Sequence, residues 1–206
     1  MAPVGLSPQH RRPGHPLGRP PRARLVLAAV LVSLPALAAA SPPVVEGPAA
    51  REQARLCEEQ NGEQGLAACR RAIALGLEPK RHEAVRELLA RRLVSLERWV
   101  DLVEHFREGV ALHPDSPEAH ERLGSALLFA ADRPGEALAP LGEAARLAPE
   151  DAGLRLLLGI AFNALGRHRE AVAAFDEALR LDPEALESRP AAGAVAEASR
   201  KAVRWP

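Results

Sequence analysis

Apolar and small residues along this chain recur with a period near 34. The clearest stretch carries Leu158-Gly159, Phe162, Ala171, Phe175, Ala178 and Pro183. One period earlier stand Leu123-Gly124, Leu127, Ala137, Leu141, Ala144 and Pro149, and before those Leu89-Ala90, Leu93, Leu102, Phe106, Gly109 and Pro114. Prolines 79, 114, 149 and 183 are spaced 35, 35 and 34 apart. A proline lacks an amide hydrogen and cannot continue a helix, so each is expected to close one period and turn the chain into the next. Residues 51–79 predict a weaker helical hairpin, with helices over about 50–60 and 65–75 and a turn at Asn61-Gly62-Glu63. Pro190 is suited to start a last helix running to about Val203, with Glu197, Arg200, Lys201 and Arg204 on its polar side.

These marks resemble the tetratricopeptide repeat: a Leu-Gly step, an aromatic three residues after the glycine, an A-x-x-x-F step and a closing proline. The resemblance covers three units, 83–116, 117–151 and 152–185. The third departs from the pattern only at its opening tryptophan, where Arg155 stands. The second holds one extra residue near Asp132-Arg133-Pro134, expected in its helix-to-helix turn, and the first has Leu102 where a small alanine is usual. The implied fold is an all-α solenoid of antiparallel helix pairs, with 51–79 as a degenerate first pair and 186–206 as capping helix and tail. Small residues then stand where helices cross closely, and stability comes from stacking neighbours, because no single pair buries its own apolar face.

Composition agrees. Hydrophobic residues make up 47% of the 206, aromatics only 3%, and tyrosine is absent. Alanine and leucine, which dominate, favour helix over strand. The formal net charge is zero, but Arg11, Arg12, Arg19, Arg22 and Arg24 precede residue 41 with no acidic residue among them. The rest carries 22 basic and 27 acidic side chains, a balance that repels phosphate backbones and argues against nucleic acid as a partner.

Residues 1–40 read as a secretory signal: a basic, proline-rich leader, an apolar stretch of 16 residues from Leu25 to Ala40, and a small-residue ending. That stretch is shorter than the roughly 20 residues of a spanning helix. The expected product is exported, periplasmic or extracellular, with cleavage after Ala40. The alternative is an uncleaved anchor at 25–40, which would be the protein's one attachment to a membrane. Residues 41–50 read as a linker. Cys57 and Cys69, the only cysteines, are equidistant from residue 63 in the expected turn and so face each other across the hairpin. An exported protein meets oxidising conditions, so a disulfide is expected, against the alternative of two buried thiols.

Little in the sequence suggests chemistry. The histidines form no H-x-x-x-H or H-E-x-x-H pair, and no phosphate loop or nucleophile elbow appears. No catalytic residue, metal ligand or cofactor site is expected. The resemblance implies instead a concave groove lined by the first helix of each unit, which binds a partner protein or peptide. Helical spacing from the Leu-Gly marks places Glu87, Arg91 and Val94 there in the first unit, Glu121, Ser125 and Leu128 in the second, and Leu156, Ile160 and Asn163 in the third. The lysine and asparagine clamp that some members use for a C-terminal carboxylate is missing at these places. The groove reads charged toward its N-terminal end and apolar toward its C-terminal end. Two readings of Leu156 and Ile160 stay open: an offered apolar surface, or one covered by the tail helix. The functional expectation is a scaffold or adaptor; the alternatives are a self-associating homo-oligomer and an accessory subunit of an envelope enzyme.

Overall fold

The computed structural model describes residues 46–204, so the signal expected at 1–40, its alternative as an anchor, and half of the linker, 41–45, lie outside the described residues. Nine α-helices follow one another without a strand among the described residues: α1 Pro48–Glu59, α2 Gly62–Leu75, α3 Pro79–Ser95, α4 Trp99–Leu112, α5 Pro117–Ser125, α6 Pro134–Leu147, α7 Ala152–Ala164, α8 His168–Leu181 and α9 Pro190–Arg204. Helix α1 begins two residues before the expected end of the linker. Proline begins α1, α3, α5, α6 and α9, where its missing N–H is no loss.

Consecutive helices pack against each other, and the reason is visible where backbones approach. A Cβ on Gly124 would meet Leu141 Cγ at 2.5 Å, and one on Gly159 would meet Phe175 Cε1 at 2.6 Å. The Leu-Gly step is therefore the place where the second helix of the pair drops its large side chain onto bare backbone. Phe175, Leu141, Ala137, Ala144, Ala171 and Ala178 are all fully buried in these crossings.

The turns inside the units repeat as well. Glu97, Asp132 and Gly166 all have positive φ, at 53°, 52° and 71°. In the first and third units the turn closes as a Schellman motif, with Arg98 N–H donating to Leu93 O at 2.8 Å and Arg167 N–H to Phe162 O at 2.9 Å. In the second unit the corresponding bond, Arg133 N–H to Leu127 O at 2.7 Å, spans one residue more. The extra residue of that unit is thus not in the turn, as the sequence suggested, but in the end of the first helix. Ala126–Ala130 widen into a π-helical turn, with Ala131 N–H donating to Ala126 O at 3.0 Å.

The two ends are finished differently. Cys57 and Cys69 are joined, with 2.09 Å between sulfurs and 4.7 Å between Cα atoms, and they hold α1 against α2. Arg92 of α3 reaches into this hairpin. Its Nη2 donates to the carbonyl oxygen of Cys57 at the end of α1, and its Nη1 donates to Asn61 Oδ1 at 3.4 Å. At the other end α9 lies on α7 and α8, where Ala192 and Ala196 join Leu156, Ala171 and Phe175 in one core cluster.

Candidate functional site

Seven of the nine expected groove residues stay at least partly accessible beside the first helices of their units, and two, Leu128 and Leu156, are buried. In the first unit Glu87, Arg91 and Val94 face outward, and Val94 is 48% exposed. Glu87 accepts from Arg122 Nη1 at 3.3 Å and lies 4.0 Å from Arg91 Nε. In the second unit Glu121 and Ser125 are half-buried. Burial, with Asp151 and Glu118 nearby, raises the Glu121 carboxyl above the ordinary carboxylate range.

Leu128 is buried, and the π-turn gives the cause: one additional residue in the helix rotates Leu128 into the core and turns Phe129 outward, where it is 61% exposed. In the third unit Leu156 is only 2% exposed, beneath α9. Ile160 is half-buried and packs against the same cluster. Asn163 Oδ1 accepts from Ser199 Oγ of α9 at 2.8 Å and stands 3.2 Å from His168 Nδ1. The C-terminal end of the groove is therefore closed by the chain itself, and the covered reading of Leu156 is the one the structure adopts.

What remains open lies between α3 and α5. Ala90, Val94 and Phe106 floor a shallow depression of about 290 Å³, rimmed by Glu87, Arg91 and Arg122. The apolar part of the groove is thus toward its N-terminal end, the reverse of the sequence expectation.

Behind Glu87, Phe106 and Arg122 the wall continues into a smaller cavity of about 140 Å³ at the junction of α3, α4 and α5, also bordered by Arg86, His105 and Gly109. Its origin is in two departures from the repeat. Ala90 carries the Cβ that Gly124 and Gly159 lack, and Leu102 fills the place of Ala137 and Ala171. Both prop α3 and α4 apart: these two helices share fewer close backbone approaches than the pairs α5–α6 and α7–α8. Phe106, the counterpart of the fully buried Phe175, is left half-buried as a wall.

Arg86 occupies the space so opened and is 7% exposed. Its Nη2 donates to the carbonyl oxygen of His105 at 2.8 Å, and Nη1 lies 3.6 Å from Glu108. His105 is 6% exposed, and its Nδ1 has no partner among the described residues. Burial, reinforced by the Arg86 charge, pushes this imidazole down to about 4, so it is neutral at neutral pH.

Sequence reading missed Arg86, His105, Arg122 and Phe129. A signal for Arg86 existed, since it is a charge at the edge of an apolar stripe of Val85, Leu89 and Leu93, opposite a glycine, Gly109. No such signal existed for Phe129, whose exposure depends on where the helix absorbs its extra residue.

No protein-family model and no curated protein matches the sequence. Solved structures do match. A double mutant of MamA ("MamA RS-1 ArsTM double mutant") superposes with a TM-score of 0.58 at 20% identity, over 77% of this chain and 93% of that one. A crystal structure of MamA protein gives 0.52 at 18%, over 76% and 88%. YrrB, described as a TPR protein with an unusual peptide-binding site, gives 0.52 at 20%, over 62% and 66%. At such identities the likeness speaks for fold alone, and it agrees with the in-register repeat marks: the chain is built as a tetratricopeptide-repeat solenoid.

Proposed function

We propose that this protein is a scaffold or adaptor that holds a segment of a partner protein in the groove between α3 and α5. The observation that carries this reading is the open apolar floor of Ala90, Val94 and Phe106, together with the exposure of Phe129 in the next unit. In the third unit, by contrast, Leu156 of the first helix is covered by α9. Val94 and Phe129 stand one period apart at the ends of neighbouring helices, so one extended or helical segment lying across them can engage both. The peptide-binding site named for YrrB adds weight, because it belongs to a protein of the same fold. Export is part of the same proposal and rests on the leader and apolar stretch before residue 41 together with the cysteine pair.

The test is a peptide-display selection against the full chain. Binding of the recovered peptides is then measured on the natural protein and on Val94→Glu/Phe129→Ser. Loss of binding in a variant that keeps its helical signal and melting temperature supports the groove. Unchanged binding moves the site elsewhere and sinks the reading. A size measurement in the same experiment reports self-association.

A further inference from the structure

We infer that the cavity behind the groove is a socket for a single carboxylate, an acidic side chain that a partner segment presents next to its apolar anchor. The inference rests on the groove reading above and supplies its chemistry.

Arg86 is the starting point. A guanidinium has five N–H donors, and burying it is costly unless they are used. Here one is well used, on the His105 carbonyl. The nearest carboxylate, Glu108, is 3.6 Å away and 62% exposed on its side chain, so it does not enclose the charge. The other acidic neighbours are engaged or outward: Glu87 with Arg122 and Arg91, Glu118 on Ser116 Oγ at 2.7 Å, and Glu83 exposed. His105, 6% exposed and bordering the same space, has an Nδ1 with no partner among the described residues.

Size and charge narrow the ligand. The cavity of about 140 Å³ is close to the ~150 Å³ of a cavity known to hold a benzene-sized guest, so it accepts one side chain and no more. The planar fork of Arg86 matches the two oxygens of a carboxylate. Glu83, Glu87 and Glu118 on the rim disfavour a dianion, which selects a carboxylate over a phosphate. Glu87, Phe106 and Arg122 border both this cavity and the groove, so a residue buried here has its neighbour on the apolar floor.

Isovalerate carries both features, a carboxylate and a short branched chain, and serves as the probe. It is titrated into the isotope-labelled full chain at constant ionic strength, following the His105 ring and the Gly109 amide by NMR. Isovaleramide and inorganic phosphate are run in parallel. The expected result is a saturable shift with isovalerate, at least about tenfold weaker binding of isovaleramide, and loss of the shift in Arg86→Gln. Should Arg86→Gln fail to fold, Gly109→Leu fills the socket from a helical position and must abolish the shift too. No saturation by isovalerate, equal binding of the amide, tighter binding of phosphate, or a shift that survives Gly109→Leu each overturns the inference. Peptides that bind the groove equally well with and without Arg86 would remove the socket and leave the groove. Isovalerate binding with no peptide binding would do the opposite.

Discussion

In the pair α7–α8, Phe175 lies on the bare backbone of Gly159 and is fully buried; in the pair α3–α4, its counterpart Phe106 is half-buried and, with Ala90, borders open space. Both pairs come from the same period, and one methyl group at the crossing together with Leu102 in place of an alanine separates them. The closed pair stores its free energy in a packed crossing. The open pair gives up part of that packing and gains a cavity, an arginine held away from water, and a groove floor. On the proposed function, the molecule is irregular at the pair that presents the partner surface, which is how a repeat protein acquires a particular partner without changing its fold.

The largest expected effect tests this contrast directly. Phe175→Ala removes a fully buried ring from a closed crossing and should cost about 3–5 kcal/mol of unfolding free energy. Phe106→Ala removes a ring that already borders a cavity and should cost about 1–2 kcal/mol, toward the low end for a core substitution. Urea melts followed by circular dichroism measure both. Equal costs would mean that the two crossings are packed alike.

Next in size is the cysteine pair. With a sequence separation of 12 residues, the cross-link should stabilise by about 3 kcal/mol through the unfolded chain it constrains. Replacing both cysteines by alanine should cost that much. Hydrogen exchange should locate the loss in α1, α2 and the part of α3 around Arg92, whose guanidinium ties the hairpin to the solenoid. Protection in α7 and α8 should be retained up to global unfolding. If exchange instead rises evenly along the chain, the hairpin is no separate staple on the open half.

His105 gives the open pair a pH signature. Its folded value, about 4, is below the ~6.5 of an unfolded chain, so between these limits the unfolded state binds more protons. The stability linked to the neutral ring is complete above about pH 6.5 and is lost as pH falls toward 4, on the order of 3 kcal/mol in all. His82, also lowered by burial and by Arg86, acts in the same direction. Urea midpoints at pH 7 and pH 4.5 should therefore converge in His105→Gln relative to the natural chain. A difference that persists undiminished would place the acid sensitivity on other groups.

Repeat architecture was the legible part of this sequence because it is local and redundant. Gly159, Phe175 and Pro183 each have counterparts one period back, and the chain must satisfy the same crossing every time. The facing cysteines were legible for a related reason, being symmetric about a turn. The groove was legible only where nothing else intervened. Glu87, Arg91 and Val94 face outward as helical spacing says, whereas Leu128 and Leu156 do not. Leu128 was misplaced by a π-turn that the sequence does not announce, and Leu156 by α9, a distant segment whose docking depends on side chains 36–40 residues away. The Arg86 cavity was legible only as two departures, Ala90 and Leu102, whose combined effect is a matter of three-dimensional packing.

The smallest effect concerns the turn that all three units share. Glu97, Asp132 and Gly166 sit at the same left-handed place, but only glycine adopts it without a steric penalty from Cβ. Glu97→Gly should therefore stabilise the protein, by roughly 0.5–1 kcal/mol, and Asp132→Gly by less, because aspartate tolerates this region better than glutamate. Gly166→Ala should destabilise by about 1 kcal/mol. The three substitutions leave every buried contact in place, so differences in urea midpoint isolate the backbone term. Should Glu97→Gly lower stability, the open pair would be relying on the Glu97 side chain at its turn. The contrast between the two pairs would then extend from the crossing, where Phe106 and Phe175 differ, to the turn that precedes it.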